Sequence, residues 1–302
     1  MSSPIRFPLR HRLISFLRDL DVRGVRGLAH RLPYWIMPKP KSGMLMETLH
    51  GFPMYIDPVI DQGVERSMYY TGTYERGTMY LLDRVLGAGD CFVDVGANIG
   101  LMTVHAARLV GAHGRVFAFE PNPETHRLLE RNVELNELTN VTLSEQAVGA
   151  VASEGMLYDR WDSSRGSASM VADGHQRAGS KVHITTLDQT LSQVDKVRLI
   201  KLDIEGYEPQ ALQGASQLLG NDQAPMLIVE CSTDMHPEHP QMLYRQLKSM
   251  NAFRFFKAIG GKERKSKFIE VLDESMLPLH DNLFVCINAH LKTLPKDLFI
   301  KN

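Results

Sequence analysis

The chain is predicted to be an α/β protein, a doubly wound and mostly parallel sheet with helices on both faces. Three observations predict it. From residue 91 onward, short apolar runs of strand type alternate with segments of helical periodicity. The first run, Cys91-Phe92-Val93-Asp94-Val95, ends in a turn bracketed by Gly96 and Gly100 that opens a helix. The next, Val116-Phe117-Ala118-Phe119, ends in a carboxylate, Glu120, which parallel pairing would bring to the same sheet edge.

The elements follow in order. With 302 residues, one large domain or two small ones are allowed, and we expect an accessory region over 1–85 and the main domain over 86–302. The stretch before Pro40 is basic, with Arg6, Arg10, Arg12, Arg18, Arg23, Arg26, Arg31 and Lys39 against Asp19 and Asp21. Leu13, Ile14, Phe16, Leu17 and Leu20 recur there at helical spacing, followed by Pro33-Tyr34-Trp35-Ile36-Met37-Pro38. Two readings stand: an amphipathic helix packed on the main domain with its arginines in solvent, or one lying on an anionic membrane surface. Residues 44–57 read as a hairpin turning near Gly51-Phe52, and 63–86 as a helical lead-in broken at Gly72 and Gly77. Strand-like runs then fall at 91–95, 115–119, 141–146, 181–186, 198–203, 226–230, 253–258 and 283–288, with helices expected over 101–109, 124–136, 208–219 and 241–250. The polar segment from Tyr158 to Ser180 breaks the rhythm and reads as a loop, in which Trp161 or 163–169 would border a ligand or stand in solvent.

Composition narrows the class. Apolar residues make up 43% and charged residues 23%, as in ordinary globular proteins. A formal net charge of -1 gives no reason to expect nucleic acid as a partner. The three cysteines, Cys91, Cys231 and Cys286, all sit in apolar runs and read as reduced core residues of a cytoplasmic protein. No apolar stretch reaches membrane-spanning length, and no apolar region of a secretory signal follows Arg6 and Arg10.

The turn after residue 95 carries the chemistry. Gly96 lets the backbone approach a ligand, and Gly100 lets the following helix pack close to the strand. A carboxylate at Glu120 can accept hydrogen bonds from both hydroxyls of a ribose. Dinucleotide enzymes wrap a pyrophosphate with Gly-x-Gly-x-x-Gly, which this run lacks. Asp94 would repel phosphates but can hold an amino group. Together these favour S-adenosyl-L-methionine as cofactor. Gln146, closing the third run, is placed to hydrogen-bond an adenine edge.

Asp94-Val95-Gly96-Ala97-Asn98-Ile99-Gly100, Phe119-Glu120-Pro121-Asn122, Glu145-Gln146-Ala147-Val148-Gly149 and Ile200-Lys201-Leu202-Asp203-Ile204-Glu205-Gly206-Tyr207-Glu208 resemble motifs of the FkbM-type S-adenosylmethionine-dependent methyltransferases. Gly72-Thr73-Tyr74-Glu75 resembles the segment that precedes their catalytic domain. The resemblance runs from about Asp57 to Val229. It implies a seven-stranded, Rossmann-like methyltransferase sheet; the reduced cysteines and the basic amphipathic start point to a protein that is cytoplasmic or peripheral to the membrane. The resemblance also implies that Glu75, Asn98, Pro121, Asn122, Ala147 and Asp203 join Asp94, Gly96, Gly100, Glu120 and Gln146 in holding the cofactor. The implied reaction is O-methylation of a hydroxyl on a sugar, a lipid-linked sugar or another small natural product.

Asp203 and Glu205, two positions apart at the end of an apolar run, would share a face if the strand continued through them. With Lys201 nearby they would position an acceptor hydroxyl and take its proton. Glu230, closing Leu227-Ile228-Val229, is the third candidate catalytic carboxylate. Alternatively, Glu205 or Glu208 caps the next helix and Asp203 only orders the turn. His236 and His239 are a base or neither. No metal site is expected, although the three carboxylates are of a kind that binds a divalent cation. The competing functions are an aminopropyltransferase, an NAD-dependent oxidoreductase and a non-catalytic cofactor-binding module.

Overall fold

The computed structural model describes residues 8–19, 25–159, 165–172, 179–234 and 236–300. The chain opens with helices α1 (Pro8–Asp19) and α2 (Val25–Ile36). On α1, His11 and Ile14 are buried, and His11 Nε2 donates to the Tyr69 carbonyl at 2.9 Å. The expected hairpin follows as β1 (Met44–Glu47) and β2 (Pro53–Ile56), then α3 (Val64–Thr71) and α4 (Arg76–Val85). The lead-in breaks at Gly72 as expected, but the second break falls at Glu75, not Gly77, which lies inside α4. Gly77 is there for a close approach: a Cβ would stand 2.7 Å from the carbonyl oxygens of Gly261 and Arg264.

The main domain runs β3 (Cys91–Val95), α5 (Leu101–Val110), β4 (Arg115–Phe119), α6 (Pro123–Leu135), β5 (Val141–Ser144), β6 (Ala147–Val148), β7 (Ser153–Tyr158), β8 (Gly179–Thr185), α7 (Leu187–Thr190) and β9 (Leu199–Leu202). It continues through α8 (Glu208–Gln213), α9 (Ser216–Leu219), β10 (Met226–Ser232), α10 (His239–Met250), β11 (Phe253–Ala258), β12 (Phe268–Val271), β13 (His280–Ile287) and α11 (Asn288–Leu291). The central sheet has the order β12-β11-β13-β10-β9-β3-β4-β5. Strands β5, β4, β3, β9 and β10 pair in parallel, and β13, β11 and β12 continue antiparallel.

Eight strands replace the expected seven. The run at 181–186 leaves the main sheet and becomes β8, the middle of a three-stranded sheet with β6 and β7. The short β12 completes the edge of the main sheet by pairing with β11. The expected helix over 208–219 divides into α8 and α9.

Alternation along the strands sorts the core into two layers. Phe92, Leu199 and Ile228 face one apolar cluster with α5 and α6, while Val93, Ile200 and Val229 face the other with α8 to α10. The first cluster also takes in Met46, Phe52, Met54, Ile56, Met68 and Leu82. Its packing therefore crosses the boundary expected after residue 85. All three cysteines are buried and free. No helix among the described residues is long and apolar enough to cross a membrane.

Candidate functional site

From β3 the chain steps outward to β4 and β5, then returns to the other side of β3 as β9. The crevice between the carboxyl ends of β3 and β9 is thus the topological switch point, where open α/β sheets bind ligands. A cleft of about 1060 Å³, counting its part open to solvent, lies there.

Gly96 is dictated by two constraints. Its φ is +81°, and a Cβ would stand 1.9 Å from the Asp203 carbonyl oxygen. The N–H groups of Gly96 and Ala97 both donate to the Phe119 carbonyl, at 3.0 and 2.9 Å, tying the turn to β4. Asn98, also at positive φ (51°), donates its N–H to Glu120 Oε2 at 2.9 Å. Glu120 Oε1 accepts from the N–H of Asn122 at 3.0 Å. These bonds hold the Glu120 carboxyl in fixed orientation at the cleft wall, and burial pushes its pKa up to about 7.

Asp94 is 1% exposed. Its Oδ2 accepts from Thr103 Oγ1 at 2.6 Å, while its Oδ1 has no hydrogen-bond partner. Burial raises its pKa, with Lys201 opposing. Lys201 stands opposite Asp94 in the β3–β9 register, with its Nζ 2.8 Å from Asp203 Oδ2. Burial works against its charge, but Asp203, Asp94 and Glu75 outweigh it and hold the ammonium protonated.

Asp203, Glu205 and Glu230 converge, with one carboxylate oxygen of each within 4.8 Å of the others. Strand alternation is not the cause, because β9 ends at Leu202. Glu205 instead takes a left-handed conformation (φ 55°), followed by Gly206 (φ 96°). Burial and the Asp203 charge raise Glu230 well above the ordinary range. For Asp203, burial is outweighed by Lys201, Lys262 and a hydrogen bond from Glu230, so it stays ionised. The two carboxyls are thus pushed apart, Glu230 toward its protonated form and Asp203 toward its ionised form. Glu208 belongs to the scaffold: its Oε1 accepts from the Ile204 N–H at 2.8 Å, and its Oε2 lies 3.1 Å from His239 Nε2.

Of the cofactor-binding candidates, Asp94, Gly96, Asn98, Glu120, Pro121, Gln146, Ala147 and Asp203 line the cleft. Gly100, Asn122 and Glu75 are not among its lining residues. Gly100 is where a Cβ would meet Leu129 at 2.6 Å, so it serves helix packing. Asn122 caps α6, accepting from the N–H groups of Glu124 and Thr125. Glu75 is fully buried and accepts from Thr78 and Asn282. His236 is exposed and does not line the cleft. Trp161, Ser163 and Ser164 lie outside the described residues, but Arg165, Ala168 and Met170 do line it. Ser169 Oγ pins that segment to the Glu205 carbonyl at 2.7 Å. Arg165 pins its other end, with a guanidinium nitrogen 2.8 Å from Glu65 Oε1 and its N–H 2.8 Å from Asp61 Oδ2.

The sequence reading missed Lys262. It lies in the turn between β11 and β12, and its Nζ stands 2.9 Å from Glu75 Oε1 and 2.7 Å from Glu230 Oε1. A lysine in a Gly-Gly-Lys turn carries no local signal that it points inward.

The family model described as methyltransferase FkbM domain matches residues 94–254. Among curated proteins, the chain is similar to the hexuronic acid methyltransferase AglP of Haloferax volcanii, 28% identical over 184 residues, covering 58% of this chain and 69% of that protein. It is also similar to Methyltransferase 1 of Beauveria bassiana, 27% identical over 145 residues, covering 40% and 57%. A solved structure of M. jannaschii TYW2 in complex with AdoMet aligns with a TM-score of 0.43 at 13% identity, over 83% of this chain and 87% of that one.

Proposed function

The chain belongs to the methyltransferase FkbM domain family and is an S-adenosylmethionine-dependent methyltransferase, and on that premise we propose that it methylates an oxygen of a sugar or similar small acceptor. The residues present suit the cofactor. The unpartnered Oδ1 of Asp94 is a buried acceptor for its amino group, and Glu120 retains lone pairs for both ribose hydroxyls. Gln146 lines the same cleft, where its amide would hydrogen-bond the adenine edge. When bound, the cofactor supplies a methyl group on a positively charged sulfur, which is already a strong electrophile.

What remains for the chain is to orient an acceptor and remove its proton. The convergence of Asp203, Glu205 and Glu230 at one side of the cleft carries this reading. Asp203 orients the acceptor by accepting a hydrogen bond from a neighbouring hydroxyl of the same molecule. Glu205 would take the proton of the reacting hydroxyl as its oxygen receives the methyl group that the bound cofactor supplies. Lys201 and Lys262 balance the carboxylates, so no metal ion is needed. The name of AglP motivates trying uronic acids first.

Titration calorimetry with S-adenosylmethionine, S-adenosylhomocysteine and NAD comes first, and binding of NAD alone would sink the proposal. Transfer of labelled methyl to neutral sugars and uronic acids then tests the acceptor. Label released by mild hydroxide marks a methyl ester, and label that survives marks an ether. Label found only on nitrogen or carbon would refute oxygen as the target.

A further inference from the structure

We propose that the outer face of α1 and α2 docks on an anionic lipid surface. Leu9, Leu13 and Phe16 recur at i, i+4 and i+7 on α1 and so share one stripe. That stripe points away from the core, with exposures of 80, 48 and 60%. His11 and Ile14 fill the inward face. The last turn of α2 adds Tyr34 and Trp35, 63 and 70% exposed. The two helices pack against each other and both contact α3. Five large apolar side chains on adjoining elements exceed the scattered exposure normal for a surface.

Charge selects the occupant. Arg10, Arg12, Arg31, Lys39 and Lys41 are exposed around these side chains, and residues 8–18 and 31–41 contain no carboxylate. An apolar stripe with aromatic rings and flanking cations suits the boundary between anionic headgroups and acyl chains, where rings sit at headgroup level and each cation adds attraction. A second copy of this chain would set the same cations against each other. The two helices rest on α3, whose Val64 lines the cleft. Docking would hold the cleft near acceptors carried in the membrane.

The test uses the full chain and vesicles of phosphatidylcholine with and without phosphatidylglycerol, at low and high salt. Flotation reads binding. In a Trp161→Phe background, Trp35 is the sole tryptophan, and its emission reads insertion. We expect binding to phosphatidylglycerol vesicles with a blue shift, weakened by salt. Leu13→Ser with Phe16→Ser, and separately Arg12→Glu with Arg31→Glu, should each weaken it by about tenfold or more. Leu13, Phe16, Arg12 and Arg31 are exposed, so each double variant should keep the melting temperature and S-adenosylhomocysteine binding of its own background, which separates failure of docking from failure of the cofactor site. The proposal falls if the wild type does not float, if it binds both vesicles equally regardless of salt, or if the variants bind as well as the wild type. It falls too if the wild type is a dimer that the apolar variants dissociate and that ignores vesicles.

Discussion

Burial holds the Glu120 carboxyl at about 7, so near neutrality much of it is protonated before a ligand arrives. Ribose hydroxyls donate to the ionised form and therefore lower its pKa on binding. The sign follows: binding releases a proton, and affinity for S-adenosylhomocysteine should rise from pH 6 to pH 7.5 and level off above. Calorimetry in buffers of different ionisation enthalpy reads that proton directly; identical heats in all buffers would contradict it. Glu120→Gln should flatten most of the pH dependence and weaken binding at pH 8 by about 1–3 kcal/mol. Lys262 makes a second prediction. Lys262→Met leaves the fully buried Glu75 without its cation and Glu230 without its Nζ partner, so stability should fall by about 3 kcal/mol or more. Denaturant unfolding measures this, and turnover should fall with it. For the same reason chelators should leave turnover unchanged; loss on chelation, restored by magnesium, would assign Asp203, Glu205 and Glu230 to a cation instead. Asp94 and Glu120 were legible because each ends an apolar run next to a glycine turn or a following helix. Lys262 was not, because its partners Glu75 and Glu230 lie 187 and 32 residues away in sequence.

Gly96 shows how one turn governs two strands. Substitution to Ala adds both the left-handed penalty and a collision with the backbone of Asp203, which cannot move without displacing the end of β9. Gly96→Ala should therefore cost about 3 kcal/mol or more and abolish cofactor binding. Gly89→Ala is the control. It has a similar φ (+86°) with nothing within 4 Å, so only the conformational cost of about 1–2 kcal/mol applies. Equal losses in thermal unfolding of the two variants would show that the close approach does not matter. The turn after β9 reaches the same convergence by a route other than strand alternation. Alternation along a strand would have aimed Asp203 and Glu205 together, but the strand stops at Leu202 and a left-handed Glu205 achieves the same convergence. The pattern of short apolar runs located the central strands well. It gave no notice of β7, whose Ser-Glu-Gly start is polar, or of the four-residue β12.

The family match begins at residue 94, yet the apolar core does not begin there. Met46, Phe52, Met54, Ile56, Met68, Met79 and Leu82 pack in the same cluster as Phe92 and Val104. A chain starting at residue 86 should therefore lose cooperative unfolding and cofactor binding, whereas one starting at residue 41 should keep both; near-ultraviolet circular dichroism with a melting curve distinguishes them. A folded, cofactor-binding chain from residue 86 would show that the first 85 residues are dispensable. By itself the sequence determined the α/β class, the order of the central parallel strands' segments, the glycine turn and the two carboxylates, Asp94 and Glu120, that line the cleft. These are local properties: periodicity, turn chemistry and strand ends are set by residues close together along the chain. Tertiary structure alone decided that β8 leaves the main sheet, that Gly100 and Asn122 pack and cap rather than line the cleft, and that Lys262 enters it. It also decided that Ile14 faces in while Leu13 and Phe16 face out. Each of these depends on which distant segment the chain folds against, and burial, proton sharing and ion pairing exist only once those segments meet.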